Sequence, residues 1–237
     1  MKKIISYSTI LLFLIILTLL SAVLFKGHYY TLISVVFAAA SFVFFFHSFE
    51  RKDLNTRYTA VLAVMTALSV VGRFIFAPIP AFKPVTAIVI LTGIYLSAEG
   101  GFLTGALTAL ISNMYFGHGA WTPFQMLAWG SIGLFAGLFS KQMRKYPVLI
   151  LIYGGLSGVF YSLIMDVWTV LWYDSSFNLS MYKAAIISAV PYTLIYSVSN
   201  IIFLLIIGKG FGRKLDRAVI LICLLYTSPS PRDAHES

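Results

Sequence analysis

Long apolar runs separated by short polar segments dominate the chain. Eight of these runs approach or exceed the roughly 20 residues that a helix needs to cross the hydrocarbon core of a bilayer. They cover residues 4–25, 29–49, 57–73, 84–98, 100–116, 122–140, 147–173 and 183–208. The run 84–98 is short, so it is either partly enclosed by its neighbours or extended into its flanks. The pattern predicts an all-α integral membrane protein.

The runs divide the chain into three parts. Residues 1–50 form a transmembrane hairpin, whose first run is too long for a typical signal peptide and is expected to remain as a helix. Residues 51–217 hold six runs, and the sequence Gly117-His118-Gly119 supplies the turn between two of them. Residues 218–237 are expected to be an artefactual or disordered tail, because the string from Cys223 onward resembles translated sequencing-adapter read-through.

Composition supports the membrane assignment. Hydrophobic residues make up 59% of the chain and charged residues 11%, against about a quarter charged in soluble domains. The net charge of +9 would favour nucleic acid binding in a soluble protein, but here the basic residues lie between apolar runs and indicate topology instead. The single cysteine and four scattered histidines give no disulfide framework and no metal-ligand spacing.

The basic residues also predict orientation. If the N-terminus is cytoplasmic, twelve basic residues fall on the inner side and only four on the outer side, namely Lys26, Arg73, Lys83 and Lys183. This positive-inside bias predicts a multi-pass protein with a cytoplasmic N-terminus. No Walker A, HExxH or GxSxG motif occurs, and no carboxylates are paired in sequence. We therefore expect no catalytic residues and no ATP hydrolysis by this chain.

This orientation brings polar and aromatic residues from four spans to one depth near the outer face. A site for a small polar aromatic solute needs such rings and polar groups. Several of the residues have a second interpretation: Arg73 can snorkel to headgroups, Asn113 can join two helices, and Asp166 can pair with a structural partner such as Arg73. The candidates are Arg73, Asn113, Trp121, Gln125, Trp129 and Asp166.

Two further features adjoin this cluster. The outer segment 74–84 contains three prolines, which exclude a continuous helix and predict a stiff, extended loop. With Phe82 and other aromatic side chains, it is either a lid over the site or a loop in the headgroup layer. On the inner half of the span 57–73, Ala60, Ala63 and Ala67 form a smooth stripe that lets another helix approach closely, within this chain or in a partner.

The block from 57 to 139 resembles the substrate-binding S component of energy-coupling factor (ECF) vitamin transporters. The resemblance rests on the Ala63-xxx-Ala67 stripe, on the loop end at 83–86 (KPVT), and on the runs 101–107 (GFLTGAL), 112–113 and 119–130 (GAWTPFQMLAWG). It implies a six-helix core in the plasma membrane of a prokaryote, preceded here by two extra helices. It also implies outer-face capture of a vitamin or precursor and docking through the alanine stripe onto an integral T subunit, driven by two ATPase subunits that use ATP.

The resemblance leaves the substrate open. Cobalamin or a precursor is favoured by the block at 119–130, while thiamine, a pyrimidine precursor, pantothenate and queuosine precursors stay possible. Two other functions also remain: a solitary or ion-coupled carrier, and a membrane scaffold or sensor that transports nothing. If uptake requires T and ATPase subunits, the chain acts as an S component and not as a carrier or a scaffold.

Overall fold

Seven α-helices and no strands make up the described part of the chain, which comprises residues 15–16, 56–174 and 178–227 of a computed structural model. Side chains are described for residues 15–16, 58–173 and 178–217. The rest of the predicted hairpin at 1–50 and residues 228–237 of the predicted tail lie outside the described residues. The helices are α1 (Thr56–Ile75), α2 (Val85–Tyr95), α3 (Ala98–Phe116), α4 (Trp121–Leu138), α5 (Ser140–Lys145), α6 (Val148–Asp174) and α7 (Leu179–Thr227).

Six of these helices coincide with the six spans predicted for the core. By length and composition, three segments are suited to crossing a membrane: Tyr58–Ile75, Pro147–Tyr173 and Leu179–Arg217. The short helix α5 was not predicted. Helix α7 is longer than the span 183–208, and its backbone continues to Thr227, so the first residues of the predicted tail are helical. The all-α membrane fold is thus confirmed.

Helix α2 lies at the centre of the bundle. Its 11 residues extend only about 16 Å, roughly half the hydrocarbon thickness, so it is too short to cross alone. Every residue from Val85 to Ile94 is buried, and α2 contacts each of the other six described helices. Uniform hydrophobicity around this helix fits its position, because all of its faces pack against protein. The short run at 84–98 is therefore an enclosed core helix.

Glycines allow the helices around α2 to approach closely. Gly93 of α2, Gly101 of α3 and Gly133 of α4 meet at one point, where a Cβ atom on Gly101 would lie only 2.5–2.8 Å from backbone atoms of the other two. Such contacts exclude any side chain and bring backbones together, as small residues do in membrane bundles. These glycines therefore set the packing of α2, α3 and α4 within the chain.

Hydrogen bonds between small polar side chains and backbone carbonyls join α6 to α7. Ser197 donates to the carbonyl of Gly155 at 2.9 Å, and Asn200 donates to that of Gly154 at 3.0 Å. In a bilayer such bonds contribute about 0.6 kcal/mol each on average. They fix the position of α7 along the axis of α6. They therefore also fix the residues that α7 contributes to the cavity described below.

The proline-rich segment between α1 and α2 folds as successive turns, so the prediction of an extended loop was wrong. Backbone hydrogen bonds from Ala77 to Phe74 and from Ile79 to Phe76 close the turns at 3.1 Å each. Ala81 takes the left-handed conformation, with φ of 58°, and its side chain is buried. This reversal directs the end of the segment back into the bundle.

The glycine contact predicts a strong dependence of stability on Gly101. Replacing Gly101 with Ala should lower the free energy of unfolding by about 1–3 kcal/mol, because the new methyl group would overlap the backbones of α2 and α4. Gly208→Ala is the matched control, since a Cβ atom there meets open space. Thermal unfolding of both variants in detergent measures the difference. Equal stability of the two variants would contradict the packing described here.

Candidate functional site

The site is organised around Arg73 in the last turn of α1. Its side chain is only 8% exposed and is directed into the bundle, so it does not snorkel to headgroups. The guanidinium group donates to the hydroxyl of Ser112 and, at 2.8 Å, to the Oδ1 atom of Asn113, both in α3. Its Cζ atom lies 4.8 Å from the ring centre of Phe116. Helix α3 thus supplies the polar partners that a buried cation requires.

A chain of hydrogen bonds extends this arrangement from α1 and α3 to two more helices. Asn113 donates through Nδ2 to Thr122 and to the Oε1 atom of Gln125, each at 2.9 Å, and Gln125 donates to the hydroxyl of Tyr161 at 2.8 Å. Asn113 is fully buried, so these bonds replace water that it cannot reach. The network joins α1, α3, α4 and α6 and fixes the amide of Gln125 beside the aromatic groups described next.

Aromatic rings form one wall of the site. Trp129, one turn after Gln125 on α4, stacks on Tyr161 with 5.3 Å between ring centres and 18° between planes. Tyr196 of α7 meets Tyr161 edge-on at 5.1 Å. The Cζ atom of Arg73 lies 5.2 Å from the Trp129 ring centre, within the range of a cation–π interaction. Flat apolar faces and polar groups are therefore close together.

These side chains enclose a cavity of about 80 Å³. It has room for several water molecules, and every lining side chain except that of Val85 carries a polar or charged group. The lining residues come from α1, α2, α4, α6, α7 and the proline-rich segment: Arg73, Lys83, Val85, Thr86, Gln125, Trp129, Tyr161, Tyr196 and Asn200.

The end of the proline-rich segment is fixed against α7 beside the cavity. The backbone N–H of Lys83 donates to the hydroxyl of Ser199 at 3.0 Å, and this hydroxyl lies 3.3 Å from the Lys83 carbonyl. Phe82 packs on Phe203 of α7, with 5.1 Å between ring centres. Burial lowers the pKa of Lys83, and the charge of Arg73 lowers it further. The segment therefore brings the amine of Lys83 to the cavity wall, where burial and Arg73 both disfavour its charged form.

The predicted site residues separate into three groups. Arg73, Gln125 and Trp129 line the cavity, while Asn113 lies behind it and positions two of them. Phe82 adjoins the cavity through its neighbour Lys83. Trp121 and Asp166 are not among the lining residues. Trp121 packs on Trp168 with 5.6 Å between ring centres, and the buried Oδ2 atom of Asp166 has no hydrogen-bond partner in the described structure.

Asp166 does not make the ion pair with Arg73 that was considered from the sequence. Arg73 bonds instead to the neutral groups of Ser112 and Asn113. Among the side chains described in residues 58–173 and 178–217, no three His, Cys, Asp or Glu form a group that could hold a metal ion.

Sequence reasoning missed several lining residues, above all Tyr161, Tyr196 and Asn200. The two tyrosines lie inside long apolar runs, where an aromatic residue resembles a packing or interface residue. Asn200 lies toward the inner end of the span 183–208, away from the depth of the other candidates. A polar amide within an apolar span was the available signal for this residue.

The alanine stripe lies on the face of α1 that is directed away from the bundle. Ala60, Ala63 and Ala67 are all exposed, whereas Leu62 and Met65 on the opposite face are buried. The stripe therefore packs against none of the described helices. A surface of small side chains in a bilayer permits close approach of a further helix.

Comparison with known proteins agrees with this architecture. Residues 53–213 match the family model of the ECF-type riboflavin transporter, S component. The chain belongs to this S component family. No significant match was found among the curated proteins or the solved structures. The matched range includes α1 to α6 and the whole lining of the cavity.

Family membership identifies the general role of the chain. S components are multi-pass membrane proteins that bind a vitamin for uptake, and they are transport subunits, not enzymes. Membership also implies association with a T subunit and ATPase subunits. The resemblance found in the sequence is thereby confirmed. The family is named for riboflavin, which gives no support to the preference for cobalamin.

The hydrogen-bond network predicts that Asn113 is required for the stability of the S component. Asn113→Ala removes one acceptor from Arg73 and one donor from Gln125, and should lower the free energy of unfolding by about 1–3 kcal/mol. Gln142→Ala, at an exposed amide in α5, should have little effect. Thermal unfolding monitored by tryptophan fluorescence compares the two. A wild-type midpoint for Asn113→Ala would show that the network contributes no stability.

Proposed function

We propose that this chain captures a flavin at the outer face of the membrane and delivers it to an ATP-driven importer. The observation that carries the proposal is the cavity that combines the aromatic faces of Trp129, Tyr161 and Tyr196 with the amide of Gln125. A flavin has a flat ring system with polar atoms along its edges. Aromatic faces stack on such a ring, and amide or hydroxyl groups bond to its edges.

The volume of the cavity implies that the substrate widens the site. At about 80 Å³ it is well below the 300–1,000 Å³ of pockets that hold ligands of drug size. A flavin ring would enter between Trp129 and Tyr161. Stacking of each ring on the flavin would then replace the stacking of the two rings on each other. A corrinoid is several times larger and would require most of the surrounding helices to move. Admitting a flavin therefore requires less rearrangement than admitting cobalamin.

The proline-rich segment and the alanine stripe complete the proposed mechanism. The segment reaches the cavity at Lys83, so its movement would open and close the site. The exposed stripe at Ala60, Ala63 and Ala67 would dock onto the T subunit, and partner ATPase subunits would hydrolyse ATP. On this proposal the N-terminus is cytoplasmic, the cavity faces outward, and no cofactor is bound by this chain.

Flavin binding is tested by quenching of flavin fluorescence on titration with the purified protein. Trp129→Leu should weaken riboflavin binding by tenfold or more, because the main stacking surface is lost. Trp172→Leu is the matched control, since this tryptophan is exposed at the end of α6. Equal loss in both variants would place the ligand elsewhere. Binding of a corrinoid in place of riboflavin would overturn the choice of substrate.

The docking role of the alanine stripe is tested by transport. Ala63→Trp with Ala67→Trp should abolish uptake into proteoliposomes that contain T and ATPase subunits, while riboflavin affinity stays unchanged. The control pair is Ile152→Trp with Leu156→Trp, which has the same spacing on the exposed face of α6. Uptake that persists in the alanine variant would remove the docking assignment.

The same liposomes separate the alternative functions. Uptake by the chain alone would indicate a solitary or ion-coupled carrier. Binding of partner subunits without retention of any small molecule would indicate a scaffold or sensor.

A further inference from the structure

The cavity contains two basic side chains and no acidic one. Arg73 and Lys83 both line it, and no carboxylate lies among the lining residues in the described part of the chain. The ion pair found among the described residues does not involve the lining: Arg144 binds Asp216 at 2.9 Å and joins α5 to α7. Asp166, the buried carboxylate of α6, is not part of the lining.

Neutral groups hold the two cations without cancelling their charge. Arg73 bonds to a hydroxyl and an amide oxygen and lies over two aromatic rings, which stabilise the guanidinium group but leave its positive charge in place. The ammonium group of Lys83 makes no hydrogen bond or ion pair with the described residues. Hydrogen bonds satisfy the guanidinium group of Arg73, but no acidic side chain of the lining neutralises either cation. The site therefore lacks a negative charge that a ligand can supply.

The positions of the two cations fix where the negative charge would bind. Ser199 holds the backbone of Lys83 against α7, and Ser112 and Asn113 hold Arg73 against α3. The cations thus face one cavity from two elements, and Arg73 also adjoins the stacking surface of Trp129. A phosphate monoester carries a charge of about −1.5 to −2 at neutral pH, which two cations that line one cavity can balance. Arginine binds phosphate oxygens in a geometry suited to this role.

We propose that the preferred substrate carries a phosphate monoester, which Arg73 and Lys83 neutralise while the attached ring system stacks on Trp129. This inference rests on the proposed flavin-binding function and narrows its substrate to a flavin phosphate. The phosphate group would bind beside the proline-rich segment. Lys83 would then connect substrate binding to the position of that segment.

The test compares two ligands that differ only in the phosphate group, riboflavin and riboflavin 5′-phosphate. At low ionic strength, where charge interactions are least screened, the purified chain should bind the phosphate at least tenfold more tightly. Lys83→Gln should reduce this ratio severalfold, and Lys83→Arg should preserve it. Lys183→Gln is the matched control, because Lys183 is exposed and lies on the same predicted side of the membrane. Its ratio should equal that of the unmodified protein.

Each outcome bears on a separate claim. Equal affinity for the two flavins, or tighter binding of riboflavin, overturns the phosphate proposal and leaves the flavin function intact. A ratio that falls equally in Lys83→Gln and Lys183→Gln also overturns it, since a general surface charge would then explain the preference. If neither flavin binds to protein that elutes as a folded species, the flavin function itself fails, and the phosphate proposal fails with it.

Discussion

Burial of the Arg73 guanidinium group constrains the four helices around it. A cation inside a membrane protein needs hydrogen-bond acceptors at fixed positions, because neither lipid nor bulk water can supply them. Ser112 and Asn113 provide them from α3, and Asn113 in turn orients Gln125. The amide of Gln125 then holds Tyr161 next to Trp129. The polar and aromatic walls of the cavity therefore depend on one buried charge.

The packing around α2 gives this network a rigid frame. Close glycine contacts join α2, α3 and α4, so residues on α4 keep their distance from Arg73 and Asn113. The proline-rich segment is held differently, by its own turns and by a few contacts to α7. Such a segment can move without disturbing the glycine contacts. The fold thus combines a fixed wall of the cavity with a proline-rich segment that is attached separately and can move. Capture and release of a substrate require both.

Much of this arrangement could be predicted from the sequence. Apolar runs predicted six core helices, and the distribution of basic residues grouped Arg73, Gln125 and Trp129 at one depth. Tyr161 and Tyr196 were missed because an aromatic residue in an apolar run does not reveal which face of the helix it occupies. The central position of α2 and the turns at 76–84 depend on tertiary contacts that periodicity does not encode. Asp166 was predicted for the site because it is a carboxylate at the same depth in the membrane as the other candidates. Equal depth does not show that two side chains are in contact.

The assignment of the cavity as a flavin site is best tested by identifying the small molecule that the protein retains. The chain should be purified from membranes in mild detergent, denatured, and the released compounds analysed by mass spectrometry. We expect a flavin at a ratio near one per chain, and its loss when Trp129 is replaced by Leu. A corrinoid, another vitamin, or the same flavin retained by the Trp129 variant would contradict the assignment of this cavity as the substrate site.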